Sequence, residues 1–472
     1  MSGIDHAVPA NDWTVLDGLI ADPAPLVSVI VVHYEQPDEL ARTLHALGRQ
    51  SYDSALLEVI VVDDGSAHPP AVPEGVRLVV QPDRGFRVAA ARNVGAALAR
   101  GEVLCFLDAD TSPEPGYVEA LTRLPALCSD VVTVGRRRHA DFTASAGVEP
   151  VEIAGPRAEL TEPQWLRDAY AQSRDLLDAD QRSYRFVISA VLACSRRFFE
   201  LTGGFDEDFD AYGGEDWEWA HRAWRLGAVL AHVPEAVAWH AGPDLAERSA
   251  DRTELVQRKN VEALALLDRI GVSARRDLGV LSAAVDVVVE LPSGSAAASV
   301  VCADVVLAAL PAGRVLIDDE HAARLAGDGR VLGRGSPGAE NARSTARVVV
   351  RASHLFTVPR AERPAFAEQL ATATEQVGTG SLGWRELVTT ATATDTATDT
   401  ATDATADDLP TDPTAPPATP LGLRLEVAAA RAEHRRARRP DAHGYVRDRR
   451  PCAATPLLRE PDLEAHLAGW GG

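Results

Sequence analysis

Asp108-Ala109-Asp110 closes the short apolar run Glu102-Val103-Leu104-Cys105-Phe106-Leu107 with two carboxylates one residue apart. The run reads as a core strand of an α/β sheet, and ligands of open α/β sheets gather beyond the carboxyl ends of the strands. Acidic oxygens in that place suit a hard divalent cation and a diphosphate bridged by it. A solvated strand terminus carries the same residues with no chemistry. A second acidic pair, Glu215-Asp216, follows Gly213-Gly214 and opens a helical pattern that runs to Leu226, ahead of Gly227. The glycines let a ligand approach the backbone without a Cβ in the way, and a carboxylate within reach of a hydroxyl can take its proton as general base. Acids in a first helical turn are also ordinary caps facing the helix dipole. A third pair, Asp63-Asp64, leads into Gly65-Ser66. Either carboxylate can accept a hydrogen bond from a nucleobase imide or cap a turn. Arg84, Arg87 and Arg92 offer guanidinium forks to phosphate, with surface salt bridges as the alternative.

These groups need a scaffold, and the hydrophobic pattern supplies one. Leu26 to Val32 and Leu57 to Val62 are continuous apolar runs of the kind found in strands buried on both faces. Val76 to Val80 is a third strand, Leu40, Leu44 and Leu47 recur at helical spacing, and Ala89 to Ala99 is a helix carrying Arg92 and Asn93. Strand–helix–strand alternation predicts a largely parallel, right-handed α/β sheet. Trp217, Trp219 and Trp224 are spaced to stack on sugar rings or to pack a helix on the core.

The chain has 472 residues, 46% hydrophobic and 25% charged, with a net charge of −22. That length implies two domains, and the acidity argues against nucleic acid as a partner. Lysine occurs once, at Lys259. The five cysteines are scattered and lack any C-x-x-C pair, which disfavours disulfides and zinc. The first residues lack the basic and apolar blocks of a signal peptide, and no apolar run approaches the ~20 residues that span a bilayer. A soluble, cytoplasmic protein is expected.

Residues 26–272 resemble the family 2 glycosyltransferases of the GT-A fold, chiefly the chondroitin-polymerase-type and galactosyltransferase-type domains. The resemblance is carried by Val61-Val62-Asp63-Asp64-Gly65-Ser66, Arg84-Gly85-Phe86-Arg87-Val88-Ala89-Ala90-Ala91-Arg92-Asn93, Asp108-Ala109-Asp110, Gly203-Gly204-Phe205-Asp206, Gly213-Gly214-Glu215-Asp216 and His240, in the family's order. It implies transfer of a sugar from a nucleotide-diphosphate sugar, UDP-linked, to a hydroxyl acceptor of a glycan or other molecule. It implies Asp108, Asp110 and His240 as metal ligands for Mn²⁺ or Mg²⁺, although a lone histidine after an apolar strand is otherwise a structural residue. It implies Tyr34, Glu35, Asp63, Asp64, Arg84, Arg87, Arg92, Asn93, Asp108, Gly213 and Gly214 as the nucleotide-sugar site, and Asp216 as catalytic base with Glu215 beside it. Retaining relatives usually lack an acid at the Asp216 position, so inversion is expected. A sugar-nucleotide pyrophosphorylase would carry a Gly-rich phosphate loop where His33-Tyr34-Glu35-Gln36-Pro37 stands. A non-catalytic carbohydrate- or nucleotide-sugar-binding protein would have lost a metal residue. A nicotinamide enzyme would carry G-x-G-x-x-G after the first strand.

Five segments are expected: an N-terminal segment (1–25), the GT-A domain (26–272), a smaller C-terminal α/β domain (273–388), a disordered Thr/Asp/Ala/Pro linker (389–422) and an Arg-rich tail (423–472). The interval from Val287 to Asp318 nearly repeats that from Val29 to Asp63, which raises an internal duplication. The second half has no D-x-D and no G-G-E-D, so no chemistry is assigned to it. The linker has too little apolar surface to fold. The arginines after it read as a solvated tail, with a weak peripheral contact to anionic membrane as the alternative.

Overall fold

The computed structural model describes residues 5–144, 149–210, 213–244, 252–270, 283–389, 423–440 and 442–468. The apolar runs form strands β1 (Val27–His33), β2 (Leu57–Asp63), β3 (Arg77–Val80) and β4 (Val103–Asp108). These lie parallel in the order β3-β2-β1-β4. Every residue of β1 is buried, which accounts for a run apolar on both faces. Strands β5 (Thr111–Pro113), β6 (Val131–Ala140), β7 (Glu159–Leu160), β8 (Val191–Ser195) and β9 (Val229–Ala241) extend the sheet to nine. Its order is β3-β2-β1-β4-β8-β6-β9-β5, with β7 on β6. Only β8, β5 and β7 run against the rest, so the sheet is mostly parallel, as expected.

Two features of this sheet build the site. The carboxyl ends of β1, β2 and β4 open on one side and present His33, Asp63 and Asp108. The antiparallel pairing of β5 with β9 sets Thr111 opposite His240, which carries Asp110 to a histidine far away in sequence. Beneath them Phe106 packs on Phe199 and Phe205 at ring-centroid separations of 5.2 and 5.5 Å, and Phe205 on Trp219 at 5.5 Å. This aromatic cluster ties the Gly203–Asp206 loop and the acidic helix Glu215–Arg225 to β4. Trp219 and Trp224 are buried there, so two of the three tryptophans are core residues.

The second unit is a separate seven-stranded sheet over its own core. Its strands are β10 (Val287–Glu290), β11 (Arg314–Ile317), β12 (Val331–Gly333), β13 (Val348–Ala352), β15 (Leu382–Val388), β16 (Arg424–Ala429) and β17 (Val446–Pro451), in the order β12-β11-β10-β13-β16-β15-β17. β14 (Phe356–Thr357) pairs with β18 (Thr455–Pro456) alongside.

The Arg-rich stretch departs from the expected solvated tail. Residues 424–429 are the strand between β13 and β15, and the helix Ala430–Arg438 docks on the first unit. Arg435 is fully buried and Arg431 nearly so, their guanidinium groups donating to backbone carbonyls of the first unit. Arg439 pairs with Asp5 at 2.7 Å, and Arg447 with Glu386 at 2.5 Å and Glu426 at 2.6 Å. Charge that reads as solvated in sequence is matched by acids from distant segments. Arg449 and Arg450 further along remain largely exposed.

The linker proposed at 389–422 falls outside the described residues except for Thr389. Its flanks meet: the Thr389 amide donates to the Leu423 carbonyl at 3.2 Å, and the Leu423 amide to Thr389 Oγ1 at 3.1 Å. The expected boundary near 273 also lies outside the described residues. The N-terminal segment packs on the first unit through Val8 and Leu16, and Asn11 caps the Leu176 and Leu230 carbonyls at 2.7 and 3.0 Å.

Candidate active site

Asp108 sits at the rim with its side chain about a third exposed. Arg92, buried on the helix Val88–Leu98, donates to Asp108 Oδ1 at 2.9 Å and to Glu215 Oε1 at 3.0 Å. Burial opposes the charge of Arg92, but the two carboxylates more than offset this and hold it protonated. Arg92, expected among the phosphate contacts, is therefore the internal bridge between the strand-end carboxylate and the acidic helix. Arg84 is exposed, and Arg87 is partly buried and lies 3.8 Å from Glu207. Asn93 is engaged by the loop after residue 202. It donates to the Phe205 carbonyl and Glu207, accepts from the Phe205 amide, each at 2.9 Å, and braces the Gly203–Asp206 loop.

The two carboxylates after β2 differ. Asp63 is fully buried and accepts from His33 Nδ1 at 2.7 Å, Ser66 Oγ at 2.6 Å and the Ser66 amide at 3.1 Å. This is the turn-capping arrangement that Asp-Gly-Ser favours. Asp64 accepts from the Arg87 amide at 2.9 Å and from Gln81. Desolvation raises its pKa against the pull of those two donors. Glu35, at φ +52°, accepts from the Ala67 amide at 2.6 Å and so ties the ends of β1 and β2 together, while Tyr34 stands half exposed at the mouth.

Gly213 and Gly214 take φ of +97° and +96°, and a Cβ on Gly214 would lie 2.9 Å from Phe209 Cε1. They turn the chain into the helix so that Glu215 points inward to Arg92 and Asp216 stays partly exposed. Desolvation, then the neighbouring Glu215, lift the pKa of Asp216 to about 7 against the pull of Arg92. A carboxylate poised near neutrality is what a general base needs. Glu215 thus acts on Asp216 from below and does not face the opening.

Asp110 and His240 approach at 3.5 Å between Oδ2 and Nε2. His240 Nδ1 faces the Gly242 carbonyl at 3.2 Å, which leaves Nε2 as a lone-pair donor on the Asp110 side. His139, which no sequence pattern singled out, lies beside His240 with ring centroids 4.9 Å apart and faces the same carbonyl at 3.1 Å. Burial, then Arg137 and His240, press its pKa down to about 4, so it stays neutral. Gln36 was also missed. It donates to Asp110 Oδ2 at 3.4 Å, and nothing in its sequence context marks it. Among the described residues no three acidic, histidine or cysteine side chains stand preassembled as a metal cage.

Residues 28–158 match the profile of "Glycosyl transferase family 2", and residues 176–238 that of the "N-terminal domain of galactosyltransferase". Residues 28–158 of the first unit therefore carry a family 2 glycosyltransferase match. Its sheet is mixed and mostly parallel, with the strand-end acids at the mouth. The chain is 28% identical over 249 residues to a hyaluronan synthase of Pasteurella multocida, covering 48% of this chain and 25% of that protein. It is 28% identical over 263 residues to a chondroitin synthase of Escherichia coli, covering 50% and 37%. To a validoxylamine A glucosyltransferase of Streptomyces hygroscopicus subsp. limoneus it is 31% identical over 217 residues, covering 42% and 48%. The chain thus spans less than half the length of each of these relatives. Among the described residues no helix is long and apolar enough to cross a membrane.

Proposed function

We propose that the family 2 domain transfers a sugar from a UDP-sugar to a hydroxyl acceptor with inversion at the anomeric carbon. The observation that carries this reading is Asp216: a carboxylate lifted to about 7 at the mouth, one residue from the Glu215–Arg92–Asp108 bridge. The acceptor oxygen attacks the anomeric carbon, its proton passes to Asp216, and the bond to the diphosphate oxygen breaks, releasing the nucleoside diphosphate. Glu215 and Arg92 hold the acidic helix against β4 while that proton moves.

Asp110 and His240 fit a divalent cation such as Mn²⁺ or Mg²⁺, because a carboxylate oxygen and an imidazole lone pair already converge there. Asp108, about a third exposed beside Arg92, suits ribose or cation. The cation would stabilise charge on the departing diphosphate. Asp64, Tyr34 and Glu35 border the same opening and suit base and nucleoside, with Asp63 fixing the turn that carries them. Arg84 and Arg87 are the remaining guanidinium groups for diphosphate. The acceptor is proposed to be a glycan or another hydroxyl compound.

A thermal-shift screen of nucleotide sugars with and without Mn²⁺ tests donor class and metal together. A Mn²⁺-dependent rise with UDP-sugars is expected. Equal shifts without metal, or none with any nucleotide sugar, would count against the reading.

A further inference from the structure

Pairing by pairing, the second sheet repeats the first. β3-β2-β1-β4-β8-β6-β9 matches β12-β11-β10-β13-β16-β15-β17, with three parallel pairings, two antiparallel and one parallel in each. Chain order is also the same, since β8 follows β6 in sequence as β16 follows β15. The short antiparallel pair β5–β9 has its counterpart in β14–β18. Helices recur at the corresponding crossovers: Pro37–Leu47 and Ala296–Ala309, Val88–Leu98 and Pro337–Thr345, Tyr117–Leu127 and Arg363–Gln376. Parallel crossovers share one hand in nearly all folds, but a seven-strand order with every direction matched is far more specific than that rule.

The chemistry did not survive the copying. Rows aligned on the ends of β3 and β12 set Val32–Asp108 of the first sheet against Glu290–Arg351 of the second. Arg351 therefore stands where Asp108 stands, and Ser353 where Asp110 does. Arg351 is engaged by Glu433 at 2.7 Å and Glu290 at 3.3 Å. Asp318 is the counterpart of Asp64, and Arg334 lies across it, donating to Asp318 at 2.7 Å, to Ser293 at 2.9 Å and to the Leu291 carbonyl. The place of a nucleoside is filled by the protein's own side chains.

What the second unit does present is the helix Ala430–Arg438, which lies between β16 and β17 as the helices Arg196–Thr202 and Glu215–Arg225 lie between β8 and β9. Arg431 lies flat over Trp224 at 3.3 Å and donates to the Ala228 carbonyl at 3.3 Å. Arg435 donates to the Gly227 carbonyl at 3.2 Å, and Gly227, at φ +92°, has no Cβ to keep it away. From the first unit Arg225 reaches back to the Ser344 and Ala346 carbonyls. All of these contacts fall at the C-terminal end of the helix whose first turn carries Asp216. We infer that the C-terminal unit is a second copy of the transferase fold that has lost its donor site and braces the catalytic helix of the first, with Arg431 and Arg435 as positioning residues.

The inference rests on the transferase reading for its catalytic and UDP-binding readouts, and not for amide exchange. Calorimetric titration of the full chain with UDP and Mn²⁺ is expected to give one site, absent in Asp110→Ala; two sites would overturn it. In Arg431→Ala, kcat should fall roughly tenfold at unchanged donor KM, and amide exchange in residues 215–220 should quicken, with Arg431→Lys only partly restoring both. Unchanged exchange and kcat would overturn the brace. Gly227→Ala, which pushes Arg435 away by steric contact, repeats the test should Arg431→Ala fold poorly. If no UDP binds at all, the transferase reading fails, while exchange, which needs no donor, still decides the brace.

Discussion

Arg92 and Glu215 stand 123 positions apart in the chain, yet their side chains meet at 3.0 Å in a buried ion pair. The same guanidinium holds Asp108. One side chain thus couples the strand that ends in Asp108 to the helix that opens with Glu215 and Asp216. Removing one partner of a buried pair leaves the other charge uncompensated, at about 3–5 kcal/mol. Arg92→Met should lower the melting temperature by roughly 10 °C, measured by calorimetry. Arg92→Lys should recover little, because one ammonium cannot reproduce the fork between two carboxylates.

Asp216→Asn should reduce kcat by roughly 10²–10⁴-fold with donor affinity unchanged, checked by steady-state kinetics and UDP titration. Unaltered turnover would remove Asp216 from the role of base. Because the folded-state pKa is about 7 against 3.8 ordinarily, wild-type kcat should rise with pH and level off above about 7.

The same shift makes a stability prediction of opposite sign. A carboxyl that holds its proton more tightly when folded favours the folded state at low pH and loses that contribution as pH rises from about 4 through about 7. Asp216→Asn carries no such penalty, so its melting temperature should exceed that of the wild type at pH 8 and approach it at pH 4.

Asp110→Ala and His240→Ala should each abolish the Mn²⁺-dependent part of the thermal shift with UDP while leaving the metal-free melting temperature within a few degrees. If either variant keeps the full metal response, the ion is held elsewhere.

Gly214→Ala should destabilise by about 1–3 kcal/mol, because the residue sits at φ +96° with Phe209 in the way of a Cβ. The loss is read from denaturant midpoints. An equally stable variant would mean the turn adapts and does not fix Glu215 and Asp216.

Much of the scaffold was legible because parallel strands buried on both faces write themselves as unbroken apolar runs: Val27–His33 and Val103–Asp108 fall where periodicity put them. Glu215 and Asp216 were legible as a pair, but nothing local says that one turns inward and the other outward. That depends on Arg92 and on the left-handed glycines before them. Arg92 itself read as a phosphate ligand because its partners lie elsewhere in the chain. The arginines after residue 423 misled for a similar reason, since a helix such as Ala430–Arg438 looks solvated until Trp224, Asp130 and the carbonyls beyond the acidic helix are seen against it. His139 was silent, being defined only by the register of β6 against β9.

The meeting of Thr389 and Leu423 has a practical consequence for how the chain may be cut. The low-complexity stretch between them leaves and re-enters the sheet at one point, on neighbouring antiparallel strands. The ends that it joins are thus already held together, and the closure entropy of a connection changes by only ~0.6 kcal/mol per doubling of length. Shortening or lengthening the chain within 390–422 should therefore leave β15 and β16 paired. A truncation at 389 would instead remove both β16 and β17, leaving β13 as an open edge and β15 with no partner strand.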